Sequence, residues 1–464
     1  MKQNWQGKKV VVVGAARQGL ALTRYLLAEG AEVTLTDCRP EQDLVCIMDS
    51  FSDQPIRWAL GGHPFEILDG QDLVCVSGGV PLELPFILEA RSRQIPLSND
   101  SQILLEACSC EVVGITGSAG KTTTTALVGL MAETYMQMKA RGHKAWVGGN
   151  IGNPLIEQVR QMHEDDLVIL ELSSFQLELM STSPQVAAVL NITPNHLDRH
   201  HSMEAYAGAK ANILRFQQGG DVAILNRDDP GAWKLANQLH SDLISFGMDM
   251  PSGEANGIFV RNEHIYLKIG RDQIKMMPVE WIRLRGQHNL YNVLAACAIA
   301  AGASLALPAI QSAVENFEGV PHRLEFVRNY KGADWYNDSI ATAPERAMAA
   351  IRSFDNPLVL LLGGKDKDLP WEDLMALVRE RVDHLVVFGA ASEKIMNTLG
   401  APRLGGRPQT VAQCAGLQQA IQAAAEVVSE GDVVLLSPGG TSFDEFRDFA
   451  ERGEFYRKWV NELL

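Results

Sequence analysis

Positive charge is in short supply in this chain of 464 residues: 41 Lys and Arg face 56 Asp and Glu, for a formal net charge of −15. A nucleic-acid binder needs a basic surface to displace counterions from phosphate, so that class is excluded. A small anionic ligand is not, because a local cluster of Lys, Arg and helix N-termini can hold one. Cysteine is equally scarce. The seven residues Cys38, Cys46, Cys75, Cys108, Cys110, Cys297 and Cys414 form no CxxC and no metal-type spacing. That excludes a zinc ribbon or a disulfide scaffold and points to reduced thiols in the cytoplasm. Cys108 and Cys110 read as small residues at a domain edge, with metal binding or a redox response as the sharper alternative. Long apolar runs are missing too. The most apolar, VLAACAIAAGASLAL from Val293, falls short of the ~20 residues a membrane span requires and reads as a buried helix. The opening MKQNWQGKKVVVVG enters a strand without an h-region or cleavage site, so no export and no membrane insertion are expected.

What is present is core. Hydrophobic residues make up 46% of the chain and charged ones only 21%, the balance of a folded globular protein. The length suggests about three domains. KKVVVVG, AEVTLTD and DLVCVSGG read as strands separated by helical stretches such as LALTRYLLAEG, which Gly30 closes. A new start comes at EVVGITGSAGKT, followed by the strands DLVILEL, VAAVLNIT and DVAILN. After FEGVPHRLEFV come PLVLLLGG, HLVVFG and DVVLLSPGG, then a terminal helix written across SFDEFRDFAERGEFYRKWVNELL. Strand–helix alternation of this kind predicts parallel sheets with crossover helices. The expectation is three α/β units in series: Rossmann-like over 1–108, a phosphate-loop unit over 109–318, and Rossmann-like again over 319–464.

Chemistry is concentrated in the middle unit. VVGITGSAGKTTTTAL carries Gly117, Ser118, Ala119, Gly120, Lys121, Thr122 and Thr123 between a strand and a helix. The strict phosphate-loop pattern has Gly where Ile115 stands, but the physics survives. Backbone amides and a helix N-terminus face phosphate, Lys121 adds a point charge, and Thr122 offers a hydroxyl to Mg²⁺. A glycine-rich turn with a solvated lysine is the bland alternative, and the loop alone does not choose a chemistry. DLVILELSSFQLE ends an apolar run at Glu171, where parallel strands present residues to a ligand crevice. NITPNHLDRH places His196 and Asp198 just past another strand, and Lys210 follows in SMEAYAGAKANILRF. A phosphate-binding lysine, a strand-end carboxylate and a loop histidine together suit a magnesium–phosphate site with mixed ligands.

GSAGKTT, ELSSFQL, NITPNHLDRH, the Lys210 helix, GQHNLYN, PHRLE and NDSIAT, in this order over nearly the whole chain, resemble the Mur ligase family of ATP-dependent amide synthetases. The compact N-terminal segment resembles that of the members which add glutamate to UDP-N-acetylmuramoyl-L-alanine. The resemblance implies three domains that bind the UDP-sugar, ATP and the amino acid in turn, and a reaction through an acyl phosphate. It implies that Lys121 and the loop hold phosphate, and that Thr122, Glu171 and His196 bind Mg²⁺ at two sites. It also implies that Lys210 is carbamylated and ligates metal, with an unmodified lysine on phosphate oxygens as the alternative. Asn292, Arg323 and Asp338 would contact the nucleotide; for His288 and His322 the alternative is that each simply caps or braces its loop. Arg17, Gln18, Asp37, Arg39 and Gly79 would form the UDP pocket, although a plain salt bridge is as good a reading of Arg39. Asn150, Ser173 and Gln176 would reach the sugar arm. Thr342, Lys367, Ser442 and Phe449 would hold the amino acid, with Ser442 at a helix start. A monomer in the cytoplasm is expected.

Three features qualify the picture. Gly14-Ala-Ala-Arg-Gln-Gly19 has Ala16 where a dinucleotide fingerprint needs glycine, which weakens an NAD reading. Ile340 and Ala343 stand where the family's glutamate-adding members usually carry Lys and Asn, so D-glutamate leads and L-glutamate stays open. A folylpolyglutamate-type ligase would share the middle unit but begin at the phosphate loop. A GTPase switch would need an NKxD guanine reader, which is missing, and a non-catalytic scaffold would have no use for Lys121, Glu171, His196 and Lys210 together.

Overall fold

The computed structural model describes residues 4–139, 142–150, 152, 154–194, 197–400 and 405–463. It is a three-domain α/β architecture of mostly parallel sheets, and the chain divides into two compact units, Met1–Phe317 and Glu318–Leu464. In the first unit, Lys9–Val13 is the centre of a five-stranded parallel sheet. Glu32–Asp37 and Ile56–Leu60 lie on one side of it, Leu73–Val76 and Leu97–Ser98 on the other. Its four valines are essentially solvent-free, because β-branched residues covered on both faces fit a central parallel strand. The strand order reverses beside Lys9–Val13, so the crevice past Val13 is where such sheets take ligands.

The second sheet has nine strands. Ala145–Gly149, Leu167–Glu171, Glu111–Thr116, Val186–Val189, Val222–Asn226, Asp242–Phe246 and Asn256–Arg261 run parallel. His264–Ile269 and Asp272–Pro278 then fold back antiparallel at the edge. Against this sheet pack the helices Lys121–Met138 and Gln287–Gly302, the latter buried from Asn292 to Ala300. Among the described residues no helix is long and apolar enough to cross a membrane.

The second unit is built on six strands in the order Glu325–Tyr330, Ala333–Asn337, Val433–Gly439, Leu358–Gly363, His384–Phe388 and Thr410–Cys414, all parallel except the first. The expected long terminal helix is shorter than its sequence suggested. Residues 442–448 form turns, and the helix runs Phe449–Asn461, with the Asp448 side chain accepting from the Glu451 amide as its N-cap.

Candidate functional site

The strand Glu111–Thr116 is buried from Val112 on and delivers the chain into the loop 117–120 and the helix Lys121–Met138. Gly120 sits at φ +82°, and a Cβ there would lie 2.2 Å from Asn292 Oδ1, so only glycine fits. Asn292 thus abuts the loop while its own amide donates to Asn289 Oδ1. Two of the loop amides face Asn191 instead of a ligand: Ser118 N donates to Asn191 O (3.0 Å) and Ala119 N to Asn191 Oδ1 (2.8 Å). The Ser118 hydroxyl lies between Thr193 O and the Tyr206 hydroxyl. Anion-directed donors therefore come from the first turn of the helix, whose leading amides have no intrahelical acceptor. Lys121 Nζ curls over the loop and donates to Gly117 O at 2.8 Å. Thr122 is half-buried and Thr123 buried in that first turn.

Glu171 closes the neighbouring strand and is 2% exposed. Its Oε1 accepts from Asn150 Nδ2 (3.1 Å), and Oε2 has no hydrogen-bond partner among the described residues. A buried carboxylate oxygen left unpaired is costly, and a cation satisfies it. The strand end is fixed by close packing: a Cβ on Gly149 would meet Glu171 O at 2.4 Å, and Asn150 N donates to that same oxygen.

Lys210 enters from the helix Met203–Arg215 and is 1% exposed. Its Nζ donates to Gly117 O (3.0 Å), is 3.4 Å from Thr116 Oγ1, and sits over the Tyr206 ring. Burial, reinforced by the Lys121 charge and opposed by Glu171, pushes its amine down to about 7. Half-buried Lys121 and buried Glu171 and Lys210 therefore share one site around the loop. His196 and the Asp198 side chain lie outside the described residues, among which no group of three or more His, Cys, Asp or Glu could hold a metal.

The residues expected at the sugar nucleotide are placed differently from one another. Arg17 and Gly79 are exposed beside the strand-end crevice, and Gln18 reaches toward Gly149 O. Asp37 is taken up internally. Its oxygens accept from Ala15 N and from the amide, Nε and Nη2 of Arg39, whose guanidinium also donates to Ala15 O. The Arg39 side-chain bonds hold the Asp37 carboxyl well below the usual carboxylate range. A carboxylate with four donors has little left for ribose or uracil, so here it acts as a brace for the Gly14–Ala15 turn, and the salt-bridge reading of Arg39 is the one the geometry shows.

Ser173 and Gln176 are likewise committed. They form a capping box, with Gln176 Oε1 accepting from Ser173 N and Oγ, while Gln176 Nε2 donates to Ser101 Oγ. Asn99 Nδ2 donates back to Gln176 O, so the pair clasps the helix Asp100–Ala107 to the exit of the Glu171 strand.

In the second unit, Asp338 is buried at a strand end, accepting from Leu324 N and the Ser437 hydroxyl. Burial raises it to about 7 despite those bonds. Its folded value lies above the unfolded one, so its stabilising contribution is full below about 4 and is lost as pH rises through about 7. Asp338→Asn is thus expected to raise the melting temperature of this unit at pH 8 by roughly 3 °C and at pH 5 by only about a third as much, read by scanning calorimetry. Arg323 is half-buried in the turn before Glu325–Tyr330. His322 braces its loop, with Nδ1 3.0 Å from Asn337 Nδ2.

Ser442 corrects the sequence reading: it is 2% exposed and opens a turn, not a helix, with Glu445 N and Phe446 N donating to its carbonyl. Phe449 heads the helix instead, and its carbonyl accepts from Ser339 Oγ. Lys367 is exposed in the loop after Leu358–Gly363, a loop joined to the Ser442 turn through two Lys365–Thr441 backbone bonds. Thr342 is half-buried in the Asp338 loop.

Three residues escaped the sequence reading. Asn191 is described above. Arg452, fully buried, donates to Ser339 Oγ, Ser339 O and Gly440 O, binding the loops that carry Ser339 and Gly440 together. Arg346 donates to Ile340 O, and its charge, after burial, helps depress the Lys367 amine. Asn191 opens NITPNHLDRH and the other two stand outside any motif, and only the fold brings each to its partners.

Comparison with known proteins adds a full-length signal. The Mur ligase MurD-like N-terminal domain matches residues 8–99, the Mur ligase middle domain 115–300, and the Mur ligase glutamate ligase domain 322–440. A protein of Symbiobacterium thermophilum named UDP-N-acetylmuramoylalanine--D-glutamate ligase is 39% identical, with 98% of each chain covered. A protein of the same name in Koribacter versatilis is 37% identical over 99% of this chain and 98% of its own. Among solved structures, MurF from Acinetobacter baumannii superposes with a TM-score of 0.55 at 18% identity, covering 100% of this chain and 93% of that one. UDP-N-acetylmuramate-alanine ligase from Thermotoga maritima gives 0.54 at 18% identity, covering 98% and 99%. At such identities the two structures speak for the fold alone.

Proposed function

The chain belongs to the Mur ligase family, and from that premise we propose that it joins D-glutamate to UDP-N-acetylmuramoyl-L-alanine with hydrolysis of ATP, in cytoplasmic peptidoglycan precursor synthesis. The observation that carries the reading is the trio of half-buried Lys121 with buried Glu171 and Lys210 around a phosphate loop, in a chain similar end to end to D-glutamate ligases. A carboxylate does not lose oxide to an amine, whereas an acyl phosphate loses phosphate readily. The first half-reaction therefore moves the γ-phosphoryl of ATP onto the substrate carboxylate, and the amine of glutamate attacks in the second.

Charge accumulates on phosphoryl and carboxyl oxygens in both transition states, so preorganised positive charge matters more than an acid–base pair. The first-turn amides of Lys121–Met138 and Lys121 Nζ receive the β- and γ-phosphates. Thr122 and Glu171 would hold one Mg²⁺, and His196 with Lys210 a second, each neutralising phosphate charge where ATP meets the carboxylate. The unpaired Oε2 of Glu171 fits that role. Lys210 fits it only as a carbamate: an ammonium would repel the metal, and an amine held near neutrality is the species that adds carbon dioxide.

The sugar nucleotide takes the crevice past Val13, with Arg17, Gln18, Gly79 and Asn150, while Asp37, Arg39, Ser173 and Gln176 hold its walls. Asn292, Arg323 and Asp338 attend the nucleotide; Lys367, Thr342, Ser442 and Phe449 attend glutamate, and the protein works as a monomer. Residues 1–108, 109–318 and 319–464 divide these tasks.

Asn191→Ala removes both side-chain bonds to Ala119 and is expected to raise KM for ATP about thirtyfold, at about 1 kcal/mol for each net hydrogen bond. Steady-state kinetics check it. The whole assignment is tested with ATP, Mg²⁺, UDP-N-acetylmuramoyl-L-alanine and either glutamate enantiomer. Phosphate release with D-glutamate is expected, and release only with L-glutamate, or with neither, refutes it.

A further inference from the structure

Cys108 and Cys110 are the sulfur-bearing ends of a three-residue connection that the ligase reading leaves unused. Cys108 terminates the helix Asp100–Ala107, its amide donating to Leu104 O, and Glu111 begins the strand that leads into the phosphate loop. The two Sγ atoms lie 3.2 Å apart, and Met162 Sδ is 3.9 Å from Cys108 Sγ. Cys108 is half-buried and reachable, whereas Cys110 is 6% exposed behind it. A disulfide bond is about 2.04 Å, so closure needs only ~1.2 Å of approach by two side chains.

We infer that Cys108 and Cys110 are a modification site, a dithiol that small-molecule disulfides convert to an internal disulfide across Ser109. The steps balance by thiol–disulfide exchange. Cys108, as thiolate, attacks one sulfur of the small disulfide, forming a mixed disulfide and expelling one thiolate. Cys110, on losing its proton, attacks Cys108 Sγ and expels the second. The protein loses two electrons and two protons, and the small disulfide becomes two thiols. Cys108 is the sulfur a small disulfide can reach and Cys110 lies buried behind it, so Cys108 leads and Cys110 resolves.

Two other cysteines serve as internal controls. Cys38 and Cys46 are exposed, and each is a free thiol. The full-length protein, incubated with oxidised glutathione and digested for mass spectrometry, is expected to carry glutathione on Cys38 and Cys46. The peptide holding Cys108 and Cys110 should instead be lighter by two hydrogens, carry no adduct, and return to the dithiol with dithiothreitol. Cys110→Ser should leave glutathione stranded on Cys108. The inference is overturned if wild-type Cys108 accumulates a stable adduct, or if the pair stays reduced while Cys38 and Cys46 are modified. It stands or falls independently of the ligase reaction, because the readout is covalent mass and not turnover.

Discussion

Glu171→Gln is expected to lower kcat by about a thousandfold at ordinary Mg²⁺ while leaving the protein folded, in line with the roughly 10²–10³ lost when one preorganised electrostatic group is removed from a charged transition state. The substitution is nearly isosteric. Glutamine keeps the acceptor that Asn150 Nδ2 uses, so the strand end and the Gly149–Glu171 packing survive. What it removes is the negative charge at Oε2, the oxygen that nothing else in the described structure satisfies. If that charge exists to hold a cation on ATP, the Mg²⁺ dependence of the variant shifts to higher concentration and part of kcat returns there. A bystander carboxylate would give a variant within threefold of wild type with an unchanged Mg²⁺ curve. Kinetics across a Mg²⁺ titration, with circular dichroism to confirm folding, distinguish the two.

Lys210→Ala is expected to cost at least as much, roughly a thousandfold on the same electrostatic grounds, and to be partly restored by a short carboxylic acid such as formate. Alanine opens a cavity where a 1% exposed side chain lay between the loop and Tyr206, and a small carboxylate fits the place of a carbamate. An amine such as methylamine should not rescue, because it supplies the wrong charge. The pH dependence follows from the displaced pKa. The folded value of about 7 lies below the unfolded 10.5, so the neutral amine, and with it reaction with carbon dioxide, appears as pH rises through about 7. Activity of wild-type protein stripped of carbon dioxide should recover with bicarbonate faster at pH 8 than at pH 6. Rescue by methylamine instead of formate would assign Lys210 a cationic role on phosphate.

The parts of this site that were legible in the sequence are those whose logic is local. Gly120-Lys121-Thr122 after an apolar strand specifies a turn, a donor array and a helix start within a few residues. Glu171 stands out because a charge ends a run of buried aliphatics. Other features depend on which strands become neighbours. Asp37 looked like a ribose acceptor at a strand end, but sheet order brings Ala15 N beside it and Arg39 folds back, saturating its oxygens. Gln176 looked substrate-facing, yet its amide is consumed by Ser173 and by Ser101, 75 residues away. Ser442 suggested a helix start because serine caps helices, while Asp448 does the capping further along. Asn191 opens the quoted NITPNHLDRH but was given no role, and Arg452 stands outside any motif; their partners lie 72 and 113 residues distant, which only the fold reveals.

The central claim is that the carboxylate of the sugar nucleotide is phosphorylated before the amine attacks, and the fate of a carboxylate oxygen tests it most directly. UDP-N-acetylmuramoyl-L-alanine labelled with heavy oxygen in its terminal carboxylate is turned over with D-glutamate and ATP, and the released phosphate is analysed by mass. One heavy oxygen per phosphate is the result the account predicts. Unlabelled phosphate, formed at the same rate as the amide, would contradict it.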